Sequence, residues 1–299
     1  MSMRILSTAF LSAVVVLALS VAPALAQDPQ QPASPQPAPE QQPQPAPAAA
    51  PVTSDPDVRI DPLQPDFTLA ALPTTLRMPK NKLAFRVTHR FTRSLGRGDF
   101  GDLLNDFFGF DSGAQIGLEL RYGLMRGLQV GMNRTSDRTI EIFGQQSVLQ
   151  QKPDGHPLSL DIIATAEGRD NLRGQQSPAI GVLVSHKVGK VAALYAEPIF
   201  VFNTNPFDDQ EDENTSMIGL GTRLRIRPQT YVFYEITPRM SGYKPGVDQM
   251  SFGLEFRTGG HNFQVNFSNG IGTTLGQIAR GGVTNDSWYI GFNISRKFF

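Results

Sequence analysis

The sequence predicts an all-β protein, a closed antiparallel transmembrane β-barrel of about 12 strands (range 10–14), preceded by a signal peptide and a disordered Pro/Gln/Ala-rich segment. Three observations predict it. Period-two alternation of apolar and polar residues recurs from about residue 80 onward. Beyond the leader, no stretch approaches the roughly 20 consecutive apolar residues that a membrane helix needs, so a membrane location must be met by a closed ring of strands. The connections between candidate strands are also mostly tight on one rim and long on the other.

Residues 1–26 read as a signal peptide. Arg4 supplies the positive start, Ile5 to Val21 is an almost unbroken apolar run, and Ala24-Leu25-Ala26 fits the small-residue cleavage pattern. With no cysteine there is no disulfide framework, thiolate metal site or lipid acceptor at the mature N-terminus. Lys plus Arg equals Asp plus Glu at 27 each, which gives no global field to attract nucleic acid.

Residues 27–78 read as a disordered Pro/Gln/Ala-rich periplasmic spacer. From Gln27 to Pro51 the chain is nearly all Pro, Gln and Ala, and it cannot bury enough apolar surface to offset its ordering entropy. An irregular segment to about Pro79 follows, and residues 79–299 form the barrel.

In the stretch Gln115-Ile116-Gly117-Leu118-Glu119-Leu120-Arg121-Tyr122, even positions are apolar or aromatic and odd ones polar or Gly. That is a strand with one apolar and one polar face. Candidate strands fall near 82–92, 114–122, 127–134, 137–147, 157–167, 178–187, 190–202, 216–227, 229–238, 248–258, 261–268 and 287–296. A soluble sandwich also alternates. An apolar-Gly-apolar core favours the barrel because it recurs, as at Ile116-Gly117-Leu118, Ile218-Gly219-Leu220 and Ile290-Gly291-Phe292. Each such glycine falls on the polar face, where it eases curvature or leaves room in a lumen. Two connections break the rim pattern, a short link near Thr135 and a longer one at Lys152 to Pro157. Both barrel termini fall on the short-turn side, and Phe299 supplies a terminal aromatic, although the lipid-facing phase lands on Phe298.

Parity places a set of charges on the lumen face: Arg86, Arg90, Glu119, Arg121, Glu141, Asp161, Glu197, Arg223, Arg225, Glu235, Glu255 and Arg257. Turned to lipid near the midplane, an Arg would cost about 2–4 kcal/mol. Inside, these charges either line a polar pore or pair across a narrow interior and fill it. In the first long loop, Phe100, Leu103, Leu104, Phe107 and Phe108 fall at helical spacing opposite Asp99, Asp102 and Asp106. This short amphipathic helix is a possible constriction in the barrel mouth; alternatively it lies at the outer membrane interface or caps its own loop. The run Asp208-Asp209-Gln210-Glu211-Asp212-Glu213 has the chemistry for Ca²⁺ or Mg²⁺ but matches no EF-hand spacing, so it reads as a solvated run.

No G-x-S-x-G, H-E-x-x-H or P-loop motif is present, and no cofactor is implied. His89 and His186 fall on the lipid-facing parity near strand ends, where an interfacial role suits them better than catalysis. Three runs, Phe85-Arg86-Val87-Thr88-His89-Arg90-Phe91, Phe107 to Ala114 (Phe-Phe-Gly-Phe-Asp-Ser-Gly-Ala) and Arg138-Thr139-Ile140-Glu141-Ile142, resemble a bacterial outer-membrane β-barrel family catalogued as a domain of unknown function. The resemblance implies a barrel over most of residues 80–299 and carries no catalytic or ligand residues.

The expected protein is therefore a non-enzymatic narrow pore or passive solute channel with a charged lumen. The alternative is a closed structural or tethering barrel acting through its loops or spacer, and a barrel-embedded lipid hydrolase comes third. Expected partners are outer-membrane lipid, small solutes and the barrel-assembly machinery. The expected location is the bacterial outer membrane, with the spacer in the periplasm.

Overall fold

The computed structural model describes residues 56–207 and 213–299, so the leader, the Pro/Gln/Ala run and residues 208–212 of the acidic run lie outside the described residues. The strands are β1 (Leu83–Phe91), β2 (Ala114–Met125), β3 (Leu128–Thr135), β4 (Ile140–Leu149), β5 (Ser159–Gly168), β6 (Ala179–Val188), β7 (Ala192–Val201), β8 (Thr215–Arg227), β9 (Thr230–Thr237), β10 (Arg239–Ser241), β11 (Gln249–Thr258), β12 (His261–Ser268) and β13 (Tyr289–Lys297). All pairings are antiparallel, and β1 bonds to β13 to close the ring. Pro238 has no N–H to give the ladder, so it splits one stave into β9 and β10, both of which pair with β8. The result is a closed barrel of twelve staves.

Burial is inverted relative to a water-soluble protein. In β2, Leu118 and Leu120 are 47% and 49% exposed, whereas Glu119 and Arg121, which alternate with them, are 6% and 3% exposed. An outward apolar band runs through the other staves, around an interior that carries most of the charges and, on β6 to β9, an apolar patch that includes Leu183, Ile199, Met217 and Phe233. No helix among the described residues is long and apolar enough to cross a membrane.

The short connections 126–127, 189–191, 228–229 and 259–260, with the longer 150–158, share the rim where the barrel begins and ends. The opposite rim carries 92–113, 136–139, 169–178, 202–214, 242–248 and 269–288. Helix α1 (Phe100–Asn105) and the single turn α2 (Arg169–Leu172) belong to that long-loop rim. Helix α3 (Leu275–Ala279), from the 269–288 loop, has all five residues buried.

The spacer reading of residues 27–78 needs correction over its described part. Residues 61–78 fold into the barrel as a hairpin closed by Leu69 N–H to Leu72 C=O (2.8 Å) and Thr74 N–H to Phe67 C=O (2.8 Å). Leu69, Ala70, Leu72 and Thr74 are essentially inaccessible. The segment has no periodicity because its apolar residues do not cover one another; the barrel wall covers them. One apolar cluster joins Ala71 of the hairpin tip to Leu275 and Ile278 of α3 and to wall residues such as Leu183 and Met217. A second packs Leu69 and Leu72 on Tyr195 and Phe233. A third packs Phe67, Leu76 and Met78 on Ala84 and Phe299, while Phe298 points outward.

Candidate functional site: the lumen and its two inserted segments

The hairpin tip is gripped by opposite charges on separate staves, Glu235 of β9 and Arg86 and Arg90 of β1. Glu235 of β9 accepts the N–H groups of Ala70 (3.0 Å), Ala71 (3.1 Å) and Leu72 (3.2 Å). The Ala70 carbonyl accepts from Arg86 (2.6 Å), Asn293 (3.0 Å) and Arg90 (3.3 Å). Hydrogen bonds to charged groups contribute about 1.5–3 kcal/mol each. Two adjacent wall glycines make the space. A Cβ on Gly219 would stand 2.8 Å from Leu72 Cδ2, and one on Gly221 would stand 2.3 Å from Leu69 Cδ1.

Below the tip, wall side chains take up the polar groups of the hairpin legs. Arg223 bonds Glu255 at 2.9 Å and the Thr68 carbonyl at 2.7 Å. Gln264, Gln145 and Gln129 donate to the carbonyls of Leu69, Thr74 and Leu76. Asp66 is held by Lys297 (2.9 Å) and Ser295 (2.7 Å). Arg121 pairs with Glu119 at 2.9 Å and lies over the rings of Phe67 and Phe143. Arg86 reaches the same Glu119 at 3.3 Å.

The second insert is bound by the opposite logic. Glu141 and Glu167 face each other across β4 and β5, an unfavourable pairing of like charges. Helix α3 offsets it. Leu275 N–H reaches Glu141 (3.0 Å), while Gly276 N–H (3.0 Å), the Thr274 hydroxyl (2.6 Å) and Arg280 (3.2 Å) reach Glu167.

Of the twelve charges that parity assigns to the lumen, Arg86, Arg90, Glu119, Arg121, Glu141, Asp161, Glu197, Arg223, Glu235 and Glu255 are buried there. Asp161 accepts from Gln145 (2.7 Å), and both carboxylate oxygens of Glu197 lack a hydrogen-bond partner among the described residues. Arg225 and Arg257 are only half-buried at the short-turn end, and Arg225 bonds the Pro228 carbonyl of the β8–β9 turn. They belong to the rim because the staves end there.

The constriction reading of the first long loop is also corrected. Phe100, Leu104, Phe107 and Phe108 are exposed, Leu103 is half-buried, and no residue of α1 is buried. The element that enters the mouth is α3. Glu167 and Lys297 escaped the sequence reading although they share the lumen parity of Asp161 and Asn293. Asp66 carries no such signal, because the hairpin has no strand period in the sequence. On the outer wall, His89 stacks on Phe292 at 4.7 Å, and His186 Nδ1 lies 2.9 Å from the Pro157 carbonyl.

With both inserts seated, a cavity of about 30 Å³ lies between Ala71, Arg86, Glu119, Asn133 and Leu275. A cavity of about 860 Å³ opens at the short-turn mouth beside Arg59, Asp61, Arg77, Lys152 and Lys187.

Among solved structures, the chain is similar to the NanC porin, with 9% identity over 73% of this chain and 99% of that one and a TM-score of 0.49. It is similar to Omp33 of Acinetobacter baumannii, with 8% identity over 74% and 100% of the chains and a TM-score of 0.40. A mutant porin of Rh. blastica gives 9% identity over 62% and 55% and a TM-score of 0.31. No curated protein matches it in sequence. The chain belongs to the family described as a membrane bound beta barrel domain (DUF5777), which it matches over residues 66–298, from within the lumen hairpin through the last strand.

Proposed function

We propose that the protein is a narrow, passive solute channel of the bacterial outer membrane whose lumen is held shut by its own N-terminal hairpin. One observation carries this reading: the lumen wall presents charges of both signs, and the groups that fill the space between its staves come from segments outside the strand ladder. The filling comes from residues 61–78 and from α3, neither of which contributes to the closed strand ladder. Withdrawal of the hairpin would break side-chain contacts and leave every stave paired, with Arg86, Arg90, Glu235 and Asn293 facing the opened path. Such a path, lined by both signs of charge, suits small polar solutes without strong selection by sign.

Asp57, 3.7 Å from Arg126 beside the β2–β3 turn, supports a periplasmic position for the Pro/Gln/Ala segment that precedes it. Residues 1–26 would direct export, and the barrel-assembly machinery and outer-membrane lipid are the partners this reading requires. It assigns no catalysis to the wall, in keeping with His89 and His186 packing on the outer surface.

The dense filling favours a second reading, a closed structural barrel that acts through its loops and N-terminal segment. Planar-bilayer conductance separates the two. The channel reading expects small or infrequent openings from the full chain and a several-fold higher conductance once residues 56–78 are deleted. Silence from both proteins, each shown to be folded by heat-modifiable gel migration, would leave the closed barrel.

A further inference from the structure

Phe91 ends β1 on the outward parity shared by Leu83, Phe85, Val87 and His89, yet it is only 7% exposed. On the wall its ring centroid lies 4.4 Å from His89 and 6.4 Å from Phe292. Its third aromatic neighbour is Phe110 of the β1–β2 loop, at 4.6 Å. Phe91 faces away from the lumen, so the part of the loop that packs on it, Phe110, lies on the outer side of the wall. From Phe110 the aromatic series continues to Phe107 at 5.5 Å, and Phe100 meets Phe108 at 6.4 Å. Phe100 and Phe107, at 67% and 62% exposed, are open on this surface together with Leu104 and Phe108.

Three of the loop's carboxylates are meanwhile paired within or beside the loop. Asp99 accepts from Asp102 N–H (3.0 Å) and Asp102 from Asp99 N–H (3.1 Å), a reciprocal cap on α1, while Asp106 is paired with the buried Arg93. The backbone points the same way. Phe107 and Phe108 both hold positive φ, at 45° and 55°, a conformation unfavourable for bulky side chains. A loop bathed only in water gains nothing by holding two phenylalanines there with their rings exposed.

We propose that the β1–β2 loop is a lipid-docking element whose face of Phe100, Leu104, Phe107, Phe108 and Phe110 inserts among outer-leaflet acyl chains beside β1 and β13. Continuity identifies the occupant: the series runs without a break from the outward-facing pair His89 and Phe292, stacked at 4.7 Å, into the loop. Aromatic side chains are favoured at this depth, where lipid meets headgroup. The assignment to the outer leaflet rests on the outer-membrane reading above; the docking itself does not depend on conductance.

The test uses the full chain in phosphatidylcholine vesicles. Trp288, the chain's only tryptophan, is changed to Phe, and Phe107→Trp is introduced as reporter. The expected result is blue-shifted emission, quenched by brominated acyl chains to an extent approaching that of Leu118→Trp, a control on the outward face of β2. Quenching by aqueous iodide alone, with the control still quenched by bromine, overturns the proposal. So does a blue shift that follows protein density without bromine quenching, which would assign the face to a second copy of the chain. Phe100→Trp on α1 gives the same readout if Phe107→Trp does not refold, and heat-modifiable migration establishes folding in each case.

Discussion

Arg223 and Glu255 form an ion pair whose side chains are both fully buried, so neither charge can be left alone cheaply. Glu255→Gln is expected to destabilise the refolded barrel by about 3–5 kcal/mol in a urea titration followed by gel migration. Combining Arg223→Met with Glu255→Met should cost less than either single change, because no uncompensated charge stays behind. A double variant that costs the sum of the singles would show that the pair does not act as a pair. Asp137 contributes to acid sensitivity. Burial would push the carboxyl of Asp137, in the β3–β4 turn, upward, but hydrogen bonds from Thr135, Gln115 and Thr139 outweigh it and hold its pKa below the ordinary value of 3.8. A group depressed on folding stabilises the fold above its unfolded pKa and loses that contribution as pH falls through its folded pKa. Asp137→Asn is thus expected to flatten the loss of stability below about pH 4 and to leave the slope above it unchanged, as read from urea midpoints at stepped pH. The residue scale was the most legible in the sequence. Strict parity assigns twelve lumen charges, of which ten are buried in the lumen while Arg225 and Arg257 stop at the short-turn rim; Glu167, at the end of the 157–167 strand, and Lys297, one residue past the 287–296 strand, share the same parity.

At the scale of elements, legibility divides by where each element finds its cover. Strands announce themselves because each carries its own two faces, and the sequence reading placed all twelve staves within a few residues. The hairpin was missed for the opposite reason. Leu63, Phe67, Leu69, Leu72, Leu76 and Met78 follow neither period, since they are buried by a wall remote in sequence. Helix α3 hides equally well: five residues between glycine-rich flanks are too few to show a 3.6 period. The more periodic α1 drew the constriction reading although it stays outside. What the sequence did hold was the glycine of Ile218-Gly219-Leu220 on the lumen face, where the space is filled by Leu72. Its neighbour on that face, Gly221, receives Leu69, so Gly221→Val should press on the hairpin tip and cost its seating about 1–3 kcal/mol. The expected outcome is faster chymotryptic cleavage after Phe67 or Leu69 with unchanged heat-modifiable migration. Cleavage no faster than in the parent would mean that the hairpin is not selectively loosened by this contact.

For the whole molecule, the important feature is that the two inserts come from opposite rims and meet. Ala71 at the hairpin tip and Leu275 at the start of α3 share one apolar cluster, and Glu235 holds the one while Glu141 holds the other. The barrel is thus plugged in series, and removal of one insert leaves a polar path that the other still narrows. Groups in direct contact couple, so the two removals should not act independently. Deleting residues 56–78 is expected to raise single-channel conductance, and replacing residues 271–283 by a short Gly/Ser link to raise it less. The combined variant should exceed the product of the two increases, because each insert left alone limits the current that the other's removal allows. An increase equal to the sum of the two separate increases would mean that the inserts obstruct separate paths, and the shared cluster would then be packing without a role in closure. An increase carried entirely by the hairpin deletion would assign closure to residues 61–78 alone and leave α3 as the partner that neutralises Glu141 and Glu167.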